Sequence, residues 1–205
     1  MMMAHHDDPR RDLIAQEAAR LVVAGQVDSI ERAIRLAVEI LGWPDAARPS
    51  RRLVHGHVQG MRLETLGEAG YHHQLRALWV CAEQIMTVFE QDRPALVGRA
   101  AEGKVDGEVS LRIRVYSDER VSELAERLDT WGYEEELSFD TAHTKFGRFD
   151  RVRLADDGVP IVLTRCPTAR FGALHRVNLH TGEAITAVDL EALRRAIENL
   201  PGAGD

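Results

Sequence analysis

Apolar positions recur along this chain at two periods, and the change of period divides it. Between Pro9 and Ala24, Ile14, Ala18, Leu21 and Val22 keep a 3.6-residue spacing. They predict a helix with proline in its first turn and Gly25 at its end. Asp28, with Glu31 three residues on, predicts the cap of a second helix. Its stripe is Ile30, Ala33, Ile34, Ala37, Val38 and Leu41, closed by Gly42 and Pro44. A helical hairpin of about 35 residues is too small to fold unaided, so it must pack on something. Ser50 predicts the cap of a third helix bearing Leu53, Val54, His57, Val58 and Met61. Gly56 and Gly60 either weaken it, by about 1 kcal/mol each, or let a neighbour approach closely. The fourth helix, Gly70 to Glu90, has the clearest stripe: Leu75, Leu78, Trp79, Ala82, Ile85, Met86 and Phe89.

Beyond Pro94 the period drops to two. "ALVG" predicts a short buried strand, and "EVSLRIRVY" a longer one. In the longer strand Val109, Leu111, Ile113 and Val115 face one way. Glu108, Ser110, Arg112, Arg114 and Tyr116 face the other. Ser117 or Asp118 is expected to cap a helix carrying Val121, Leu124, Ala125 and Leu128, which stops at Gly132. "RFDRVRLADDGVPIVLTRCP" predicts a hairpin turning at Asp-Asp-Gly. Asp189 predicts the cap of a last helix reaching about Leu200. The expected class is α+β: an N-terminal helical hairpin and helices packed on a mixed sheet of about four or five strands. The expected segments are 1–46 for the hairpin, 47–92 for linking helices, and 93–205 for an α+β core with its C-terminal helix.

Composition narrows the classes. The chain has 205 residues, 44% hydrophobic and 29% charged, as a globular protein does. A net charge of -7 opposes a surface built to grip nucleic acid, but leaves room for a local basic patch. The second helix of the hairpin, "DSIERAIRLAVEI", offers only Arg32 and Arg35 among acids, which is no recognition face for DNA, so nucleic acid is not an expected partner. No apolar run approaches the roughly 20 residues of a membrane span. "MMMAHHDDPRR" has no apolar signal region, so the expected location is the cytoplasm. Cys81 and Cys166 are expected to be free thiols. His55 and His57 would diverge by about 200° on a helix, and adjacent His72 and His73 also diverge. These histidines are read as structural or surface groups. A Cys166 nucleophile served by His175 or His180 has no flanking motif behind it.

Over roughly residues 71–167, the order helix, strand, glycine turn, strand, helix, hairpin resembles the nucleotidyltransferase core. That core is shared by DNA polymerase beta, the CCA-adding enzymes and the small bacterial nucleotidyltransferases. In that family a Gly-Ser turn cradles phosphates. A D-x-D on the next strand and a third carboxylate on a later one hold two magnesium ions. Here "VGRAAEG" stands at the turn, with Gly98 kept and Arg99 in the place of serine. On "EVSLRIRV", Glu108 takes the first aspartate's place and Ser110 the second's. On "PIVLTRCP", Val162 falls where the third carboxylate belongs. One acid of three remains, and a single carboxylate does not bridge two divalent ions. The chain also resembles, from "RRDLIAQEAARLVV" to "LHTGEAITAVDLEALRRAI", a family of uncharacterised bacterial proteins with such a core, in which the metal carboxylates are kept by some members and lost by others.

The resemblance implies a non-catalytic nucleotide- or phosphate-binding or regulatory protein without a cofactor. Gly98, Arg99, Ser110, Arg112 and Arg114 would then be phosphate-binding, with guanidinium groups in place of metal. It leaves open an active magnesium-dependent nucleotidyltransferase, in which Glu108 is catalytic beside a non-standard second carboxylate such as Asp106. It also leaves open an antitoxin-like or structural partner, or a homodimer joined through the N-terminal helices. Against all of these stands the ordinary alternative of a solvated strand face, its arginines paired with Glu134, Glu135, Glu136 and Asp140.

Overall fold

The first helix, α1 (Pro9–Val23), starts where Asp8 accepts a hydrogen bond from the amide of Arg10, with proline just inside. This computed structural model describes residues 8–27, 29–105, 110–133 and 137–201. The cap of α2 (Ile30–Leu41) is Ser29, whose hydroxyl accepts from the Arg32 amide, one place later than the pattern suggested. Ser50 accepts from the Leu53 amide and opens α3 (Arg51–Val88). The third and fourth helices run on from one another, broken only at Gly67, whose φ of 66° and ψ of 172° are non-helical. Gly56 and Gly60 face open space, so no neighbour exploits the close approach they would permit.

The chain divides into two compact units. The first holds the described residues up to Tyr71, with Val105. Its core is made of small side chains on α1 and α2. Ala15, Ala18, Ala19, Ala33 and Ala37 are wholly buried with Ile14, and Val54 and Val58 of α3 join them. Alanine at these positions lets helix backbones approach closely at no side-chain entropy cost. Outside that core the imidazole of His57 meets Asp12 at 2.8 Å, which gives this histidine a structural partner.

The second unit comprises His72–Lys104 and the described residues from Ser110 onward. Its strands are β1 (Ala95–Val97), β2 (Leu111–Tyr116), β3 (Ser138–Thr144), β4 (Gly147–Asp156), β5 (Val159–Cys166) and β6 (Ala187–Asp189). Its helices after α3 are α4 (Val121–Thr130), α5 (Phe171–Leu174) and α6 (Leu190–Glu198). The strands form one mixed sheet in the order β3-β4-β5-β2-β1-β6, with β2 parallel to β5 and the other neighbours antiparallel. One sheet face is apolar: Leu96, Leu111, Ile113, Val115, Val152, Leu154, Ile161 and Leu163 are all buried. Leu75, Leu78, Ala82, Ile85, Met86 and Phe89 of α3, and Leu124 and Leu128 of α4, complete that core. Two polar ties join the layers. The Cys81 thiol donates to Asp156 on β4, and Arg127 of α4 donates to the Val88 carbonyl.

The Asp157-Gly158 turn closes the predicted hairpin, with φ of 46° and 76° as a two-residue type I′ turn requires. The strand expected to carry Asp140 beside the arginines is the edge strand β3, which buries Ala142 alone, while the three-residue β6 was not expected. Neither Ser117 nor Asp118 caps α4. Glu123 reaches back to the Arg120 amide at 2.6 Å, while Ser117 accepts from Glu119 and Asp118 from Thr168. Among the described residues no helix is long and apolar enough to cross a membrane. Ile113 is fully buried at the centre of the sheet core. Ile113→Ala should therefore cost about 2–5 kcal/mol of unfolding free energy, read from urea denaturation.

Candidate functional site

Residues directly opposite in neighbouring strands share a face, so the register extends the polar side of β2 across the sheet. One row reads Val97, Arg112, Val162, Arg153, Ser138. The next reads Ala95, Arg114, Thr164, Arg151, Asp140. Adjacent strands lie about 4.8 Å apart, so the backbones at Arg112 and Arg153 stand about 10 Å apart with Val162 between them.

This face has two ends with different fates. At the Cys166 end the chain turns back and covers it. Arg114 is 5% exposed, and its guanidinium donates to the Leu174 carbonyl of α5 at 2.5 Å. Tyr116 is 2% exposed and packs edge-on against Phe171, with ring centres 4.8 Å apart. Phe149, Cys166, Leu174 and Leu179 fill the same cluster. Burial pushes the Tyr116 phenol up to about 12 and the Cys166 thiol up to about 11. At neutral pH that thiol is protonated, which removes the chemical basis of a Cys166 nucleophile. Cys81 is a free thiol as well, raised to about 12 chiefly by burial and then by Asp156.

At the other end the face stays open. Arg112 is exposed and has no hydrogen-bond or ion-pair partner among the described residues. Arg151 grips Asp140 with two bonds, of 2.5 and 2.8 Å, and Arg153 reaches the same carboxylate at 2.6 Å. The Arg151 hydrogen bonds, then those of Arg153, hold the Asp140 carboxyl below its usual range. Two guanidinium groups thus share one carboxylate, and with Arg112 beside them the open end carries a surplus of positive charge. The pairing of Arg151 and Arg153 with Asp140 is the ordinary alternative realised in part. Glu134, Glu135 and Glu136, also named for that pairing, lie outside the described residues.

Beside Arg112 the loop "VGRAAEG" leaves β1 through Gly98, whose φ of 81° is left-handed and whose open side faces the Arg112 Cδ. The loop folds as the short 3-10 turn Ala100–Glu102. Trp79 pins it by donating its indole N–H to the Ala100 carbonyl at 2.8 Å. The amides of Glu102, Gly103 and Lys104 return to carbonyls of Gly98, Arg99 and Ala100, so they are spent within the turn. Arg99 is half-buried and already engaged by a neighbour. Ser110 directly precedes β2, on the row below Arg112. The structure therefore brings Gly98, Ser110 and Arg112 to the open end and places Arg114 under cover. Glu108 and Asp106 lie outside the described residues.

The described residues at the positions that the resemblance assigns to metal ligands do not fit a pair of divalent ions. Ser110 offers a hydroxyl, Val162 offers an alkyl group, and Asp140 is held by two arginines. Among the described residues no group of three or more His, Cys, Asp or Glu side chains is gathered closely enough to hold a metal.

Sequence reasoning missed a cleft of about 270 Å³ elsewhere in this unit, where Arg93, Phe171, His175 and Asp189 meet. These residues come from three stretches with no shared motif: the pairing of β6 with β1 brings Asp189 to Arg93, and α5 brings Phe171 and His175.

No protein-family model matches this chain, and no curated protein matches it.

The two strand arginines should separate in stability measurements. Arg114→Ala leaves a buried carbonyl without its donor and should cost about 1–3 kcal/mol. Arg112→Ala, on an exposed and unpartnered side chain, should stay within about 0.5 kcal/mol of wild type by urea unfolding.

Proposed function

We propose that this protein binds a nucleotide or another phosphate-bearing ligand on the open end of the sheet, without catalysing its transfer, on a nucleotidyltransferase-like core. The observation that carries the reading is Arg112, an exposed guanidinium without a partner among the described residues, beside a glycine turn. A guanidinium fits a phosphate with two parallel hydrogen bonds, and does so most strongly when no carboxylate competes. Arg153 supports it. That side chain is 47% exposed and holds only one oxygen of a carboxylate it shares with Arg151, so it can turn to an arriving anion. Val162 supplies apolar ground between the cations, and Val97 flanks Arg112 on its other side.

The order of strand, glycine turn, strand, helix and hairpin, on a mixed sheet with helices behind one face, supports the nucleotidyltransferase-like reading. Serine and valine at two of the three carboxylate positions favour binding over catalysis. A regulatory role follows from that: such a protein reports the presence of its ligand to whatever it meets.

Calorimetric titration with ATP, CTP, GTP and UTP, with and without magnesium, tests this. Binding should not need magnesium, should weaken with salt, and should fall about ten- to hundredfold in Arg112→Ala. Binding that requires magnesium and is lost in Glu108→Gln would contradict the non-catalytic reading. The absence of saturable binding by any of the four would overturn phosphate recognition of nucleotides altogether.

A further inference from the structure

The cleft of about 270 Å³ lies at the covered end of the arginine face, where Asp189 stands opposite Ala95, and shares no lining residue with the open end at Arg112. Arg93 and Pro94 lead into β1, Phe171 and His175 bound α5, and Asp189 and Glu191 stand at the start of α6. A space of this size falls just short of the roughly 300–1,000 Å³ of pockets that take drug-sized ligands, so its occupant is a small metabolite.

Arg93 is the unusual residue here. Its φ of 46° and ψ of 58° are left-handed, a backbone that a long side chain rarely adopts. The other described non-glycine residue with positive φ, Asp157, has a tight hairpin turn to account for it. Arg93 is the left-handed C-cap of the 3-10 turn Glu90–Asp92, and that termination sets the direction in which its side chain leaves the chain. The Arg93 guanidinium sits over the Phe171 ring, 5.1 Å from its centre. It is exposed and has no carboxylate partner among the described residues, although acids stand beside it. Asp92 is taken by Arg127 at 2.6 Å, and Glu90 by Arg194 at 3.3 Å.

The α6 side of the cleft has the opposite surplus. Arg194 is shared among Glu83, Glu90 and Glu191, so one guanidinium serves three carboxylates. Asp189 spends one oxygen on the Ala192 amide as the helix cap and keeps the other. Apolar surface from Pro94, Phe171 and Leu190 lines the space as well. His175 stacks on Phe171 at 4.6 Å, and its buried Nδ1 has no hydrogen-bond partner among the described residues. A plain anion would meet the carboxylates, and a plain amine would meet Arg93. A ligand carrying both charges a few ångströms apart satisfies both.

We propose that this cleft binds a small zwitterion of the free α-amino acid class. Arg93 receives its carboxylate, and Asp189 and Glu191 receive its ammonium group. An apolar side chain lies against Pro94, Phe171 and Leu190.

Calorimetry on the full chain tests this with a panel of free apolar and aromatic amino acids, beside phenylalaninamide, which lacks the carboxylate, and N-acetylphenylalanine, which lacks the ammonium. At least one free amino acid should bind saturably at about 1 mM or tighter, and both capped compounds at least about tenfold more weakly. Arg93→Asn keeps a residue at home in left-handed backbone and should erase the preference for free acid over amide. Asp189→Asn keeps a capping side chain and should weaken the free acid while leaving N-acetylphenylalanine unchanged. Circular dichroism confirms that both variants are folded. Saturable binding by none of the panel overturns the proposal. So does equal binding of the capped compounds, or wild-type binding by both folded variants.

Discussion

The second unit depends on β2 being pinned between β5 and β1, with every second side chain committed to the helices behind the sheet. Leu111, Ile113 and Val115 are fully buried there, and a strand's period of two leaves Arg112, Arg114 and Tyr116 no choice but the opposite face. Their fates then depend on what covers them. The chain returning after Cys166 lays Leu174 over Arg114 and Phe171 over Tyr116, and stops short of Arg112. A buried guanidinium is costly unless hydrogen-bonded, and the Leu174 carbonyl partly meets that need. A single alternating strand thus supplies a structural arginine and an exposed one, two residues apart.

Charge makes the exposed arginines informative. Acids outnumber lysine and arginine by 33 to 26 in this chain, so a carboxylate is the commonest charged neighbour a guanidinium can find. Several find one: Arg20, Arg127, Arg151, Arg153 and Arg194 all hold ion pairs. Arg112 and Arg93 hold none among the described residues. Each sits beside apolar surface, Val162 in one case and Phe171 in the other. An anion arriving at either would face little competition from the protein's own carboxylates.

Much of the fold is legible in the sequence because single-residue chemistry decides it. Ser50 caps a helix, Gly42 ends one, Asp157-Gly158 turns a hairpin, and the alternation of β2 names its buried side. The bounds of the edge strand β3 are hidden because an edge needs no apolar alternation, and "SFDTAHT" has none. Ser29 caps α2, and Asp28, named from the sequence for that place, lies outside the described residues; adjacent hydrogen-bonding side chains offer the sequence no way to choose between them. The site was half legible. Sequence put Arg112 and Arg114 on one face, but their separation into open and covered depends on α5, more than fifty residues downstream. The cleft at Arg93 was illegible, because its residues meet only through the pairing of β1 with β6 and the return of α5 after β5.

The most direct measurement is NMR of the arginine side-chain Nε–H groups during a titration with inorganic pyrophosphate. The signal of Arg112 should start as that of a freely rotating guanidinium and shift as the anion binds, while that of Arg114, held by Leu174, should stay in place. An Arg112 signal that does not move, or one that moves no more than Arg114, would contradict the claim that the open end of this sheet is an anion site.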